Sequence, residues 1–337
     1  MSRINRLFSW TIAILALWCA TAAAERGPLQ VQNRFPLHLM FLTPKPTGAE
    51  MPTEGRLQSI LSVDYSSVYI NEQSSRWSAL VDMEMTVVDL SLTYGITPGF
   101  SVSAQIPFVS MSNGFLDGFL ESFHDAFGLP NYGREDRAKN SFAYDMSKNG
   151  LTWLNGDAGE LRWADMTVSG QMSLFKFGVS SKWSGTLLAS IKLPIGDEAL
   201  GYGSGRLDTG IFLPTQWDGQ KWSLYLMPGY IWHSDPETQG ADVSARNSFS
   251  MFGGIAYVSS ERWRWFVQLN YSSSPIEETG ISVLDDGAVE LALGFRRVLS
   301  EKWSVEFAFC EDIFTRTAPD FNLHLGLVWA HDFGRNE

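Results

Sequence analysis

Hydrophobic and polar residues alternate with a period of two from near Leu57 almost to the C-terminus, and helical periodicity is nearly absent. In the stretch from Trp303, Val305, Phe307 and Phe309 share one face, with Ser304, Glu306, Ala308 and Cys310 on the other. From Trp263, the residues Trp265, Val267, Leu269 and Tyr271 oppose Arg264, Phe266, Gln268, Asn270 and Ser272. Trp183, Gly185, Leu187, Ala189 and Ile191 likewise oppose Ser184, Thr186, Leu188, Ser190 and Lys192. In the last repeat Phe321, Leu323, Leu325, Leu327 and Trp329 stand against Asn322, His324 and Gly326. Each repeat runs for about ten residues, the length of a tilted strand that crosses a bilayer.

The pattern predicts twelve strands, starting near residues 57, 77, 100, 163, 183, 206, 222, 247, 263, 288, 303 and 320. Tight turns fall at Thr97-Pro98-Gly99, Ser180-Ser181-Lys182, Trp217-Asp218-Gly219, Ser259-Ser260-Glu261 and Ser300-Glu301-Lys302, and every other connection is longer. After each tight turn the next strand opens with an aromatic on the apolar face: Phe100, Trp183, Trp222, Trp263 and Trp303. An even number of strands, short turns at one end, long loops at the other and an aromatic girdle together describe an antiparallel transmembrane β-barrel of the bacterial outer membrane. The expected fold is therefore all-β, with the barrel over residues 57–333. A soluble β-sandwich shares the alternation but does not explain the alternating connection lengths.

Two segments stand outside the repeat. Residues 25–56 are Pro-rich and neither alternating nor helical, and they could plug the lumen, cover the periplasmic mouth or extend as a tail. Residues 113–160 form a long extracellular loop, within which residues 114–127 are predicted to be helical. Here Phe115, Phe119, Phe123 and Phe127 recur every fourth residue beside Leu116 and Leu120, and Gly128 and Pro130 supply a stop. The opposite face bears Asp117, Glu121, His124 and Asp125. The stripe is expected to pack on the barrel mouth as a lid. An interfacial helix in the outer leaflet is the alternative, and it fits less well because such helices carry Lys and Arg rather than acids.

The ends of the chain and its composition place it in the cell. Residues 1–24 carry Arg3 and Arg6, an apolar run and an A-x-A pattern before Glu25, which reads as a cleaved export signal into a Gram-negative envelope. Residues 334–337 form a short C-terminal tail. No mature stretch approaches 18 consecutive apolar residues, and mean hydropathy is -0.07, so an inner-membrane helix bundle is not expected. The formal charge of -12 becomes -14 once Arg3 and Arg6 are removed, which makes nucleic acid an improbable partner. The expected partners are outer-membrane lipid, lipopolysaccharide, the barrel assembly machinery during biogenesis, and an unidentified small solute.

The alternation assigns Asp64, Asp82, Glu84, Asp89, Lys192, Asp208, Arg264, Glu290, Arg296, Glu306 and His324 to the lumen. These charges suit either a narrow hydrated pathway or a network of ion pairs that fills a small barrel. No catalytic set is assigned. Ser122 and His124 lie two apart on a helix and cannot face each other, and His233-Ser234-Asp235 would need a Ser from another strand. No Cys/His cluster or H-E-x-x-H is present, so neither a metal nor a cofactor is expected.

The mature opening Gln32-Asn33-Arg34-Phe35-Pro36-Leu37-His38-Leu39-Met40-Phe41-Leu42-Thr43-Pro44 resembles a proteobacterial family, domain of unknown function 3187. So does residues 115–133, with its core Phe123-His124-Asp125-Ala126-Phe127-Gly128-Leu129-Pro130-Asn131. The resemblance covers the whole mature chain and implies an exported outer-membrane barrel with no established activity. More distantly, Tyr94-Gly95-Ile96-Thr97-Pro98-Gly99-Phe100 leading to Gln105-Ile106-Pro107-Phe108 is similar to barrels associated with aromatic-compound degradation, which implies passage of hydrophobic molecules. The chain departs from the usual barrel in its last residues. Phe333, the expected aromatic assembly signal, is followed by Gly334, Arg335, Asn336 and Glu337. The functional expectation is a passive channel or transporter for small or hydrophobic molecules. The alternatives are a closed structural or lipid-interacting barrel, or a rim hydrolase acting on lipids.

Overall fold

The computed structural model describes residues 27–128, 133–179, 182–313 and 317–333. The export signal expected at 1–24 and the tail at 334–337 lie outside the described residues. Twelve antiparallel strands close into a barrel. They are β1 (Arg56–Gln73), β2 (Trp77–Thr97), β3 (Phe100–Ser112), β4 (Met166–Phe177), β5 (Lys182–Leu193), β6 (Asp208–Phe212 and Thr215–Asp218), β7 (Trp222–Trp232), β8 (Ser248–Val258), β9 (Trp263–Ser272), β10 (Ala288–Val298), β11 (Trp303–Asp312) and β12 (Phe321–Asp332). Each strand pairs with its sequence neighbours, and β12 pairs with β1 from Arg56↔Asp332 to Ser67↔Phe321, which closes the wall without a free edge.

The sixth strand is broken at Leu213 and Pro214, because Pro214 has no N–H for the ladder. Flanking carbonyls repair the gap: Thr186 N–H donates to Pro214 and Leu213 N–H to Pro228. Gly229 sits opposite Phe212 beside the break, where a Cβ would stand 2.0 Å from the Phe212 ring, so glycine makes the room that Phe212 occupies inside the barrel.

Exterior residues form an apolar belt. Leu61, Val63, Leu224, Leu226, Ile255, Val267, Leu269, Leu293, Leu325 and Leu327 are all exposed. The aromatics Phe100, Trp183, Trp222 and Trp303 rim the belt at the tight-turn end as exposed side chains, with Trp263 half-buried beside them. A second rim of exposed Tyr230, Trp232, Phe249 and Tyr271 borders the opposite end. Among the described residues no helix is long and apolar enough to cross a membrane. A closed antiparallel wall is the other structure that satisfies every backbone polar group inside lipid.

Candidate functional site

The lumen is occupied by the chain's own N-terminal segment. Residues 27–54 run inside the wall, with one short helix, α1 (Pro36–Met40), and its ties reach strands all around the barrel. Gln268 on β9 accepts from the Leu29 N–H at 2.7 Å and donates to the Leu29 carbonyl at 3.0 Å. Arg296 on β10 donates to the carbonyls of Gly27 and Pro28 at 3.0 and 3.1 Å. Leu42 N–H donates to Asp208 on β6, Gln171 on β4 donates to the Gly48 carbonyl, and Ala49 N–H donates to Gln216. The segment thus satisfies its backbone groups through the wall's side chains rather than by joining the sheet.

Buried ion pairs do the rest. Arg34 meets Asp64 at 2.6 Å and stands 4.0 Å from Asp89, while Lys45 meets Asp89 at 2.6 Å. Asp64 also faces His324 at 2.7 Å, His324 stands 3.7 Å from Glu306, and Glu306 pairs with Arg296. Across the lumen Lys192 pairs with Asp165 at 2.5 Å, lies 3.6 Å from Asp208, and donates to the Met40 carbonyl and to Ser204. In α1, burial holds the His38 imidazole neutral, its pKa pushed down to about 4, with nearby His233 adding to the effect.

The two halves of the lumen differ. At the long-loop end Phe35, Leu37, Met40 and Phe41 of the segment pack with Val68, Ile70, Met83, Met85, Val87, Val109 and Met111 of the wall and with Tyr144, Trp153, Tyr202, Val243, Ile276 and Leu284 from the loops. This apolar cap closes the barrel there. A hairpin outside the wall, Ala143–Lys148 and Leu151–Asn155, extends β2 and brings Trp153 edge-on against Trp77 at 5.8 Å. At the tight-turn end the lumen holds an open cavity of about 1110 Å³. Residues of the segment from Thr43 to Glu54 line it together with Ser91, Thr93, Ser103, Gln105, Thr167, Ser169, Gln171 and Ser190, and it reaches the turn residues Pro98, Glu301 and Lys302.

Nine of the sequence-predicted lumen residues, Asp64, Asp89, Lys192, Asp208, Arg264, Glu290, Arg296, Glu306 and His324, are buried on inward-facing strand positions. Asp82 and Glu84 are not in the lumen. In β2 they pair with Tyr69 and Ser67 of β1, on the outward face shared by Leu61 and Val63, while Met83, Met85 and Val87 point inward into the cap. The long loop buries both acids from outside. Arg137 and Ser141 donate to Asp82 at 2.8 and 2.5 Å. Glu84 accepts from Tyr65 and from the N–H groups of Phe115 and Leu116 at 2.9 and 2.6 Å, ahead of helix α2 (Asp117–Phe127). Gly114, at φ +63°, permits this approach, since a Cβ there would overlap the Glu84 carboxylate.

The lid expectation is corrected by the same geometry. The residues leading into helix α2 dock on the outer face of β1 and β2 and not across the mouth. Phe115 and Phe119 are 70% and 57% exposed, and among the described side chains of the helix Leu120 and Asp117 are the buried ones. The Phe115 ring sits 5.7 Å from the outward-facing Tyr65. The mouth is unavailable because the cap already fills it, and the acids of β2 capture the loop on the outside. The side chains of Phe123, His124 and Phe127 lie outside the described residues. Arg134 anchors the loop, donating to Asp117 at 2.7 Å, Asp320 at 2.5 Å and Ser67 at 3.2 Å. Arg134→Ala removes three hydrogen bonds from the loop's anchor, two of them to carboxylates, at about 1–3 kcal/mol. Trypsin cleavage at Arg137 and Lys139 in the purified protein is then expected to run about ten-fold faster. An unchanged cleavage rate would mean that Arg134 does not hold the loop down.

His233 does find a Ser from another strand. Its Nε2 lies 2.8 Å from Ser248 Oγ, and its Nδ1 lies 3.2 Å from Asp208. Phe41 packs edge-on against the His233 ring at 5.2 Å and Ser248 is buried, so the lumen segment covers the hydroxyl. In this arrangement the chain of three groups holds the Leu42 amide and the Phe41 ring. Among the described residues no cluster of His, Cys, Asp and Glu is arranged to hold a metal ion.

A closed twelve-stranded wall with an apolar exterior, a charged interior and a folded-in N-terminal segment defines a plugged transmembrane β-barrel. The chain belongs to the family described as a protein of unknown function (DUF3187), whose model matches residues 6–331. No curated protein matches it in sequence. Among solved structures it is similar in fold to an outer membrane channel from Pseudomonas putida F1, with 16% identity and a TM-score of 0.57 over 86% of this chain and 100% of that one. The NanC porin is similar at 9% identity and a TM-score of 0.42, over 82% of this chain and 98% of that one.

Proposed function

We propose that the protein is an outer-membrane channel, closed at rest by residues 27–54, that passes small or hydrophobic molecules when this segment shifts. One observation carries the reading: the wall closes on itself through β12 and β1, so the segment is an occupant of the lumen and not a structural strand. The cavity opens at the tight-turn end and reaches Lys45, Ser91 and Gln105. The cap depends on the same segment, because Phe35, Leu37, Met40 and Phe41 form its floor. In this reading lipid and lipopolysaccharide contact the apolar belt, and the exposed Phe333 is the aromatic offered to the assembly machinery.

Planar-bilayer recording of the full chain and of a variant lacking residues 27–54 tests the proposal. The full chain is expected to be silent or to open rarely, and the variant to show sustained conductance steps. A variant that keeps heat-modifiable migration on gels, the sign of an intact wall, yet conducts no more than the parent would overturn it in favour of a closed structural barrel.

A further inference from the structure

The lumen segment occupies the barrel in the manner of a ligand with a cationic side and an apolar side. Its two cations meet wall carboxylates, Arg34 on Asp64 and Lys45 on Asp89, with Arg34 near enough to reach both. Its Leu29, Val31 and Leu42 pack on the opposite wall, where Leu188, Phe212, Met227, Phe252 and Phe266 form an apolar face from β5 to β9. The bore therefore has an acidic face and an apolar face running side by side. Without the segment, the wall's Asp64, Asp89, Asp208, Asp218, Glu290 and Glu306 outnumber Lys192, Arg264 and Arg296.

A second observation shows that the acidic face is larger than the segment needs. The Asn322 amide and the Ser66 hydroxyl, paired across β12 and β1 beside Asp64, have no hydrogen-bond partner, and neither does one carboxylate oxygen of Glu290. All three side chains are at most 1% exposed. Buried polar atoms left unpaired are costly and uncommon, and donors and acceptors held ready around a carboxylate are what a polar ligand consumes.

We propose that Asp64 and Asp89, flanked by Ser66, Glu290 and Asn322, bind a permeant organic cation, a guanidinium or primary ammonium carried on an apolar body, whose place Arg34 and Lys45 hold in the closed barrel. This rests on the channel reading above and names the class of solute for that bore. The route to the site is the cavity, since Lys45, Ser91 and Gln105 all line it and Gln105 donates to Asp89 at 2.6 Å. Charge selects the cation, and the apolar face selects against small hydrated ions.

Full-length protein with Arg34→Ala and Lys45→Ala frees the acids while the rest of the segment remains. Isothermal titration with benzylguanidinium is expected to show binding at least about ten-fold tighter than to the parent, with phenylacetate binding neither. Adding Asp64→Asn and Asp89→Asn should remove the gain. Equal binding before and after those substitutions, or equal binding of phenylacetate, would overturn the proposal and leave only an apolar pocket. A measurement on the parent covers the case in which the variants fail to fold: benzylguanidinium added from the tight-turn side should raise conductance by competing with Arg34, and phenylacetate should not. Equal effects of the two probes on the parent would also sink the idea. Binding without conductance keeps the site and removes the channel reading, whereas conductance insensitive to the cation keeps the channel and removes the site.

Discussion

Asp64→Ala is expected to release the lumen segment and to lower the stability of the assembled barrel by about 3–5 kcal/mol, the usual cost of stripping one partner from a buried charge pair. Asp64 is fully buried and meets two cationic or protonatable groups, Arg34 at 2.6 Å and His324 at 2.7 Å. Removing the carboxylate leaves the buried Arg34 with Gln32 at 3.1 Å and Asp89 at 4.0 Å, which do not replace a 2.6 Å ion pair. The segment can escape that penalty by leaving the lumen and admitting water, so the loss should appear first as undocking. Trypsin should then cut at Arg34 in the variant and spare it in the parent, and urea titration should show an early transition before the wall unfolds. Arg34→Met combined with Asp64→Leu removes both charges of the pair and should cost less than Asp64→Ala alone, because Arg34 is no longer left without its partner. An Asp64→Ala protein that keeps Arg34 protected and its urea midpoint unchanged would show that the pair does not hold the plug.

Leu269→Arg is expected to destabilise the membrane-inserted barrel by about 1–3 kcal/mol, the depth-dependent cost of an Arg on the lipid face between the bilayer midplane and the interface. Leu269 is 45% exposed on β9 in register with Gly253 and Leu291, six residues from Trp263 of one aromatic rim and two from Tyr271 of the other. Its neighbour Gln268 points the other way and holds both backbone groups of Leu29. Gln268→Arg therefore fails differently: it breaks two hydrogen bonds to the plug and forces a longer side chain into a filled lumen, with no cost in the lipid. Folding titrations into lipid vesicles should register the first substitution, and protease protection of the segment should register the second. If both variants lost membrane stability equally and both kept the segment protected, the two faces of β9 would be wrongly assigned.

The lumen acids show where reading along the chain succeeds and where it stops. Asp89, Glu306 and His324 are legible because each sits between lipid-facing apolar residues in a strict alternation. Asp82 and Glu84 look the same locally, yet they fall on the opposite phase: Asp89 is offset five positions from Glu84, an odd spacing that a regular strand cannot place on one face. That spacing was a readable sign that the polarity of β2 inverts beyond Val87. Lys148-Asn149-Gly150-Leu151 was another, since an Asn-Gly pair between alternating residues marks a hairpin, and both central residues take positive φ at 53° and 76°. The Phe stripe of α2 was legible as amphipathic, but which surface it would meet was not, because the answer depends on what already fills the mouth.

Strand number, phase, turn placement and the aromatic rim follow from the chain alone, because a wall facing lipid on one side and a charged lumen on the other imposes a period of two that every strand repeats. The occupant of the lumen does not follow from it. Residues 27–54 carry no period, and their position is set by partners 30 to 269 positions away, from Arg34 on Asp64 to Arg296 on the Gly27 carbonyl. Only closure of the barrel brings those groups within hydrogen-bonding distance, so the plug, the cap and the outward docking of the long loop are decided by tertiary structure.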